Sequence, residues 1–274
     1  LTMLTLGRDH TLFYEAYNDA SDIDGDGTLD IRFKPTITYY GLFDSGLCYS
    51  HSGGAGNSDV FTPAAQTTTL GKCATSSHWS GNWLNYVTTS RIDALRKVFY
   101  GGYREVDSST ETILRRTYIP QDAHSWAKEY TSEAVDGYKI SDYTGLSQPS
   151  TDRKHFFGNL TDTRATNCST LNSCSDRPPL LRVITNANNR RVWQWASTER
   201  PVLHETDNHN GTRTDYTVRV KVCTSTYNSG CKRYPNGNWK PTGLLHDYGE
   251  NNSMLFGLLT GSYNKSMSGD REST

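Results

Sequence analysis

The stretch DIDGDGTLD, from Asp22 to Asp30, packs four carboxylates and two glycines into nine residues. Asp22, Asp24 and Asp26 stand at positions one, three and five of a calcium loop, Gly27 supplies the turn at six, Thr28 offers a backbone carbonyl at seven, and Asp30 stands at nine. Hard oxygen donors on a loop that can wrap an ion are what Ca2+ requires, so Ca2+ held by Asp22, Asp24, Asp26, Thr28 and Asp30 is the expectation. Position twelve, where an EF-hand has a bidentate Glu, is Phe33, and the flanks read as strands rather than paired helices. The loop is therefore not an EF-hand, and its expected role is that of a brace. Glu15, Asp19 and Glu250 are candidates for the remaining ligand, with water as the alternative. Without an ion the same pattern makes a solvated turn.

Other chemistry is less specific. Asp122, His124 and Ser125 are close along the chain, but adjacency does not create relay geometry, and a turn is the better reading. No GxSxG elbow is present. His204 and His209, with Glu205 and Asp207, lie in an Asn-rich stretch that reads as a surface loop rather than a transition-metal site. Trp79, Trp83, Trp193 and Trp195 could stack on sugars if exposed; packing in the interior is the better reading. Sequons occur at Asn159, Asn167, Asn210, Asn251 and Asn264.

Six cysteines, Cys48, Cys73, Cys168, Cys174, Cys223 and Cys231, form no CxxC pair and no zinc-finger spacing. Disulfides are expected, and the simplest pairing closes three successive loops: Cys48 with Cys73, Cys168 with Cys174, and Cys223 with Cys231. Such bridges each add about 2–4 kcal/mol and need an oxidising compartment.

These residues need a scaffold. TMLTLG, HTLFYEAY, ITYYGLF, ETILRRTYIP, LLRVIT, RVWQWAS, YTVRVKVC and MLFGLLTGSY read as strands, YTVRVKV with clean period-two alternation. SGNWLNYVTTSRIDALRKVFYGG reads as one long helix: Leu84, Thr88, Ile92, Leu95 and Phe99 share a face, Ser80 caps the start and Gly101-Gly102 stops it. AHSWAKEY reads as a short helix or turn, and residues 48–73 and 145–179 as loop-rich insertions. The expected fold class is α/β or α+β, a strand-rich single decorated domain with one long helix and many loops.

The 274 residues suffice for a sizeable core, and a net charge of −1 without any Lys/Arg cluster argues against nucleic acid or an anionic membrane as partner. Only 34% of residues are hydrophobic, yet there are 17 Tyr, 6 Trp and 23 Gly, a balance that suits an extracellular, loop-rich protein. No run reaches the roughly 18–20 apolar residues of a membrane-spanning helix. The abrupt apolar start suggests a piece of something longer.

Several ordered segments carry a more specific signal: LTLGRDHTLFYEAYNDASDIDGDGTLDIRFKPTITYYGLFDSGLCY, WSGNWLNYVTTSRIDALRKVFYGGYR, YIPQDAHSWAKEY, DYTVRVKVC and GLLHDYGENNSMLFGLLTGSY. From about Leu4 to Tyr263, more weakly between about Gly158 and Arg177, the chain resembles the PilC/PilY family of type IV pilus tip and biogenesis proteins. The resemblance implies a non-enzymatic, secreted module at the bacterial cell surface, which supports pilus assembly, counters retraction and contributes to adhesion. Its implied partners are pilins or minor pilins at the pilus tip, a host or abiotic surface, and further copies through strand edges. In that family an N-terminal region, often von Willebrand factor A-like, precedes a C-terminal β-propeller with its own calcium loop, and this chain looks like part of the N-terminal region. Gly7, Asp9 and Thr11 stand where such a domain has its metal-binding Asp, Ser and Ser, so that adhesion site is expected to be absent. A carbohydrate-binding module and a secreted hydrolase are the rival readings.

Overall fold

Short runs rich in β-branched and aromatic residues form fourteen strands among the described residues of the computed structural model, which are 1–6, 10–52, 59–119, 124–161, 179–189 and 210–260. The fold is α+β, with mixed sheets and a few helices. A six-stranded sheet has the order β4 (Trp79–Ser80), β2 (Leu47–Ser52), β3 (Val60–Gln66), β11 (Arg219–Val222), β6 (Thr112–Arg115) and β5 (Arg104–Asp107). A four-stranded antiparallel sheet has the order β10 (Thr212–Thr217), β9 (Pro179–Asn188), β8 (Arg153–Thr161) and β7 (Trp126–Tyr130). Two ribbons complete the set: antiparallel β12 (Cys231–Arg233) with β13 (Trp239–Pro241), and parallel β1 (Thr2–Leu6) with β14 (Phe256–Thr260). The helices are α1 (Gly81–Thr88), α2 (Arg91–Tyr100), α3 (Glu133–Asp136) and α4 (Leu244–Gly249).

The alternating stretch YTVRVKV is shared between the two large sheets. Tyr216 and Thr217 pair with β9, Arg219 to Val222 pair with β6, and Val218 is the handover: its N–H donates to Pro179 O at 2.8 Å and its carbonyl accepts from Arg116 N at 3.1 Å. One continuous core results, in which Phe157, Leu181 and Val183 of the four-stranded sheet join Phe61, Leu114 and Val220 of the six-stranded one around Trp83, Leu84 and Val87 of α1.

Every residue of α1 is buried, including Asn82 and Asn85. These two amides act as a substitute strand for residues 37–43. Asn82 accepts from Tyr39 N and donates to Ile37 O; Asn85 accepts from Phe43 N and donates to Tyr39 O and Phe43 O, all at 2.7–3.0 Å. ITYYGLF is thus hydrogen-bonded, and buried apart from Thr38 and Tyr40, yet lies outside every sheet, contrary to the strand expected there. Gly41 is required where this segment crosses α1, because a Cβ would collide with Thr89 Oγ1 and the Asn85 amide.

Other expectations are also corrected. The long helix is two: α1 ends at Thr88, Thr89 and Ser90 are extended, and Ser90 caps α2 by accepting from Asp93 N at 3.2 Å while its hydroxyl meets Asp93 Oδ2 at 2.6 Å. Ser80 and Gly101 do cap the two ends. HTLFYEAY begins with a 3-10 turn at His10–Phe13 rather than a strand. AHSWAKEY contains strand β7, which pairs with β8 and buries Trp126, Lys128 and Tyr130 in alternation. The segments expected to be loop-rich hold nearly all of the β2–β3 hairpin and the whole of β8. Apart from β3–β11, both large sheets are antiparallel, so the described residues give no support to a von Willebrand factor A-like arrangement. Gly7 and Asp9 lie outside the described residues, and Thr11 is in the 3-10 turn.

Disulfides Cys48–Cys73 and Cys223–Cys231 are formed as expected. The first ties β2 to the segment leading into β4; the second closes the approach to β12. Cys168 and Cys174 lie outside the described residues, as do Asp122, Trp193, Trp195, His204, Glu205, Asp207 and His209.

Candidate metal-binding loop

Residues 21–30 fold back on themselves because the Asp22 carboxylate organises the turn. Its Oδ1 accepts from Gly25 N at 2.8 Å and Asp26 N at 3.1 Å, and its Oδ2 accepts from Gly27 N at 2.9 Å. Gly25 and Gly27 both take positive φ, 75° and 85°, which glycine adopts without strain. The neck is closed by Asp30 N donating to Ser21 O at 2.9 Å and by Ile23 N donating to Asp30 Oδ2 at 2.6 Å. Asp26 Oδ1 accepts from Thr28 N at 2.7 Å, the main reason its carboxyl is held below the usual range.

Carboxylate oxygens of Asp22, Asp24 and Asp30 all lie within 4.8 Å of one another, an arrangement that could hold a metal ion. Asp26 stands outside that group but shares a cation with it. The Lys34 ammonium sits 3.4 Å from both Asp24 Oδ2 and Asp26 Oδ2 and in closer ion contact with Asp30 Oδ1. That last oxygen is buried, on a residue only 1% exposed, and has no aligned hydrogen-bond donor. Lys34 is the main reason the Asp30 carboxyl lies below its usual range, and Asp30 in turn is the main reason the Lys34 ammonium is held well above its own. The clustered carboxylates are an oxygen donor set of the kind that could hold a metal ion, at a place where the Lys34 ammonium now contacts Asp30 Oδ1. Sequence reading missed Lys34, although its place four residues after Asp30 is the available signal.

Phe33, the residue at position twelve, is a plug rather than a ligand. It is buried among Tyr39, Tyr86, Tyr138 and Tyr143, with ring centroids 5.1–5.6 Å away. Arg32 beside it donates to Val135 O at 2.6 Å and pairs with Asp136 at 3.3 Å. The loop is therefore anchored to the core at its C-terminal end and open to water at its tip.

The three reserve ligands are otherwise engaged. Glu15 and Asp19 both hold Lys128, at 2.8 and 2.7 Å, and Glu250 meets Lys232 at 2.6 Å and accepts from Tyr234 OH. Trp79 and Trp83 are buried in the core. His124 Nε2 lies 3.2 Å from His10 Nδ1. Asn159 is fully buried, donating to Val87 O and accepting from Arg116, so its sequon is closed to a glycan in the folded state.

Comparison with known proteins assigns a class to this architecture. Residues 30–183 match the family model described as PilY1 homolog, small alpha/beta domain, and the chain belongs to this family. The chain is similar to two proteins of Xylella fastidiosa strain Temecula1, each named type IV pilus biogenesis factor PilY1 homolog. It is 49% identical to one over 97% of its own length and 18% of the relative's, and 27% identical to the other over 79% and 17%. The chain thus spans less than a fifth of the length of the curated relatives it matches. No solved structure matches. Most of the acidic loop precedes the matched segment, which starts at Asp30.

Proposed function

We propose that this chain is an extracellular module of a type IV pilus-associated protein, one that supports pilus assembly and surface adhesion through contacts with pilins or minor pilins at the pilus tip. Its similarity to the longer Xylella pilus biogenesis factor over nearly its whole length is the observation that carries this reading. Two disulfides, typical of an oxidising compartment, agree with a place outside the cell. No helix among the described residues is long and apolar enough to cross a membrane.

Within that role the acidic loop is a calcium brace: Asp22, Asp24 and Asp30 supply carboxylates from the cluster, with Asp26 and the Thr28 carbonyl completing the set. Calcium would neutralise the crowded carboxylates and fix the connection that Phe33 anchors. The expected outcome is a calcium-dependent melting temperature, since an ion at 100 times its Kd adds about 2.7 kcal/mol to the folded state. Asp24→Ala and Asp26→Ala then lower the melting temperature in calcium buffer and leave it nearly unchanged in chelator. Equal melting of the parent protein with and without calcium sinks the brace. The pilus role is tested separately: cells whose full-length protein lacks this module should assemble fewer pili and attach less, and wild-type pilus number and attachment would refute it.

A further inference from the structure

The β1–β14 ribbon has the character of a fragment of a larger sheet. Its strands run parallel, from Thr2 opposite Phe256 to Leu6 opposite Thr260. Parallel pairs belong in sheets covered on both faces, and a bare two-stranded ribbon gains too little burial to hold in water. Here cover is incomplete on both faces, although Thr2, Leu4 and Phe256 are half-buried. Paired residues share a face and neighbours alternate, so Met3 and Leu259 lie on one face and Leu258 on the other. They are 55%, 57% and 64% exposed, and Leu255, at 64%, extends the patch. The other parallel pairing among the described residues, Val220 opposite Phe61, is completely buried. Neither TMLTL nor FGLLT contains a charge or a proline, the devices that keep a solvent-facing edge from pairing.

We propose that β1 and β14 are two strands of a sheet completed by apolar strands from flanking parts of the same polypeptide, so that residues 10–254 form an insertion carried between neighbouring strands. The relatives leave more than four-fifths of their length outside the region this chain matches, which is ample to supply those strands. A second copy fits less well. A two-fold dimer pairs one edge of the ribbon with its own copy, whereas both outer edges, that of β1 and that of β14, are open among the described residues.

Amide hydrogen exchange on the full-length polypeptide and on the 274-residue chain tests this. Peptides covering β1 and β14 should exchange at least about tenfold more slowly in the full-length protein. Leu258→Lys should abolish that protection while leaving exchange in α1 unchanged, since Leu258 is exposed in the isolated domain. Equal exchange in the two proteins overturns the proposal. Protection that appears in the 274-residue chain as its concentration rises, and reaches the full-length value, also overturns it and assigns the ribbon to a second copy.

Discussion

Two lysines in this protein each gather several acidic or carbonyl oxygens, and their surroundings make them opposites. Lys128 is buried, with 4% of its side chain exposed, between Glu15 and Asp19 and 4.9 Å from the centre of the Tyr86 ring. Lys34 reaches Asp24, Asp26 and Asp30 from a side chain that is 32% exposed. In the first cluster the ammonium itself is buried beneath two partly exposed carboxylates, so its cation is permanent. The second is open to water on one side, where a dissolved ion can compete with the tethered ammonium. A covalently attached cation satisfies a buried cluster; an exposed one keeps the option of exchange.

The two clusters are mechanically connected. Phe33 at the end of the loop packs on Tyr86, whose hydroxyl donates to Asp19 Oδ1 at 2.8 Å, and Asp19 holds Lys128. Phe33→Ala should therefore have the largest effect, a loss of about 4 kcal/mol read by chemical denaturation, together with loss of calcium-dependent melting. Retained calcium dependence would show that the loop holds its shape without the anchor.

Lys128→Met should cost about 3 kcal/mol near neutral pH, because it strands two carboxylates in a largely dry site. Burial already raises the Glu15 carboxyl above its usual value, and Lys128 opposes that rise. A carboxyl raised in the fold contributes stability that is complete below its unfolded value of 4.5 and is lost as pH rises through the folded one. The deficit of Lys128→Met should thus be greatest near pH 7.5 and shrink toward pH 4.5 in denaturation curves. A deficit independent of pH would assign the loss to packing against Tyr86.

Lys34→Met should have the smallest effect on the fold of the three, since its pairs with Asp24 and Asp26 are exposed and the buried Asp30 carboxylate keeps the Ile23 N–H as a donor. Its signature is in binding: without the competing ammonium, the calcium concentration at half-saturation should fall severalfold in a calorimetric titration. An unchanged midpoint would place the ion away from Lys34.

The sequence made part of this legible. The Asp-x-Asp-x-Asp-Gly spacing located the acidic loop because the carboxylates organise their own turn through local backbone N–H groups. The cysteine spacing led to two of the bridges, and alternation in YTVRVKV located a strand, though not its division between two sheets at Val218. What failed was set at long range. ITYYGLF has the composition of a strand, but its backbone partners are the side chains of Asn82 and Asn85, more than forty residues on. The helix was joined across Thr89 because the apolar spacing continues, although the Ser90-x-x-Asp93 cap marks the break. Lys34 was overlooked because a lysine has no place in a ligand pattern.

The parallel register of β1 and β14 has a consequence for load. In a polypeptide that continues on both sides, the chain arrives at Thr2 and leaves at Thr260, which lie at opposite ends of the ribbon. Tension along such a chain pulls the two strands past each other in shear, loading the hydrogen bonds between them together rather than unzipping them one at a time. The residues between, acidic loop and disulfides included, would hang beside the line of force instead of within it.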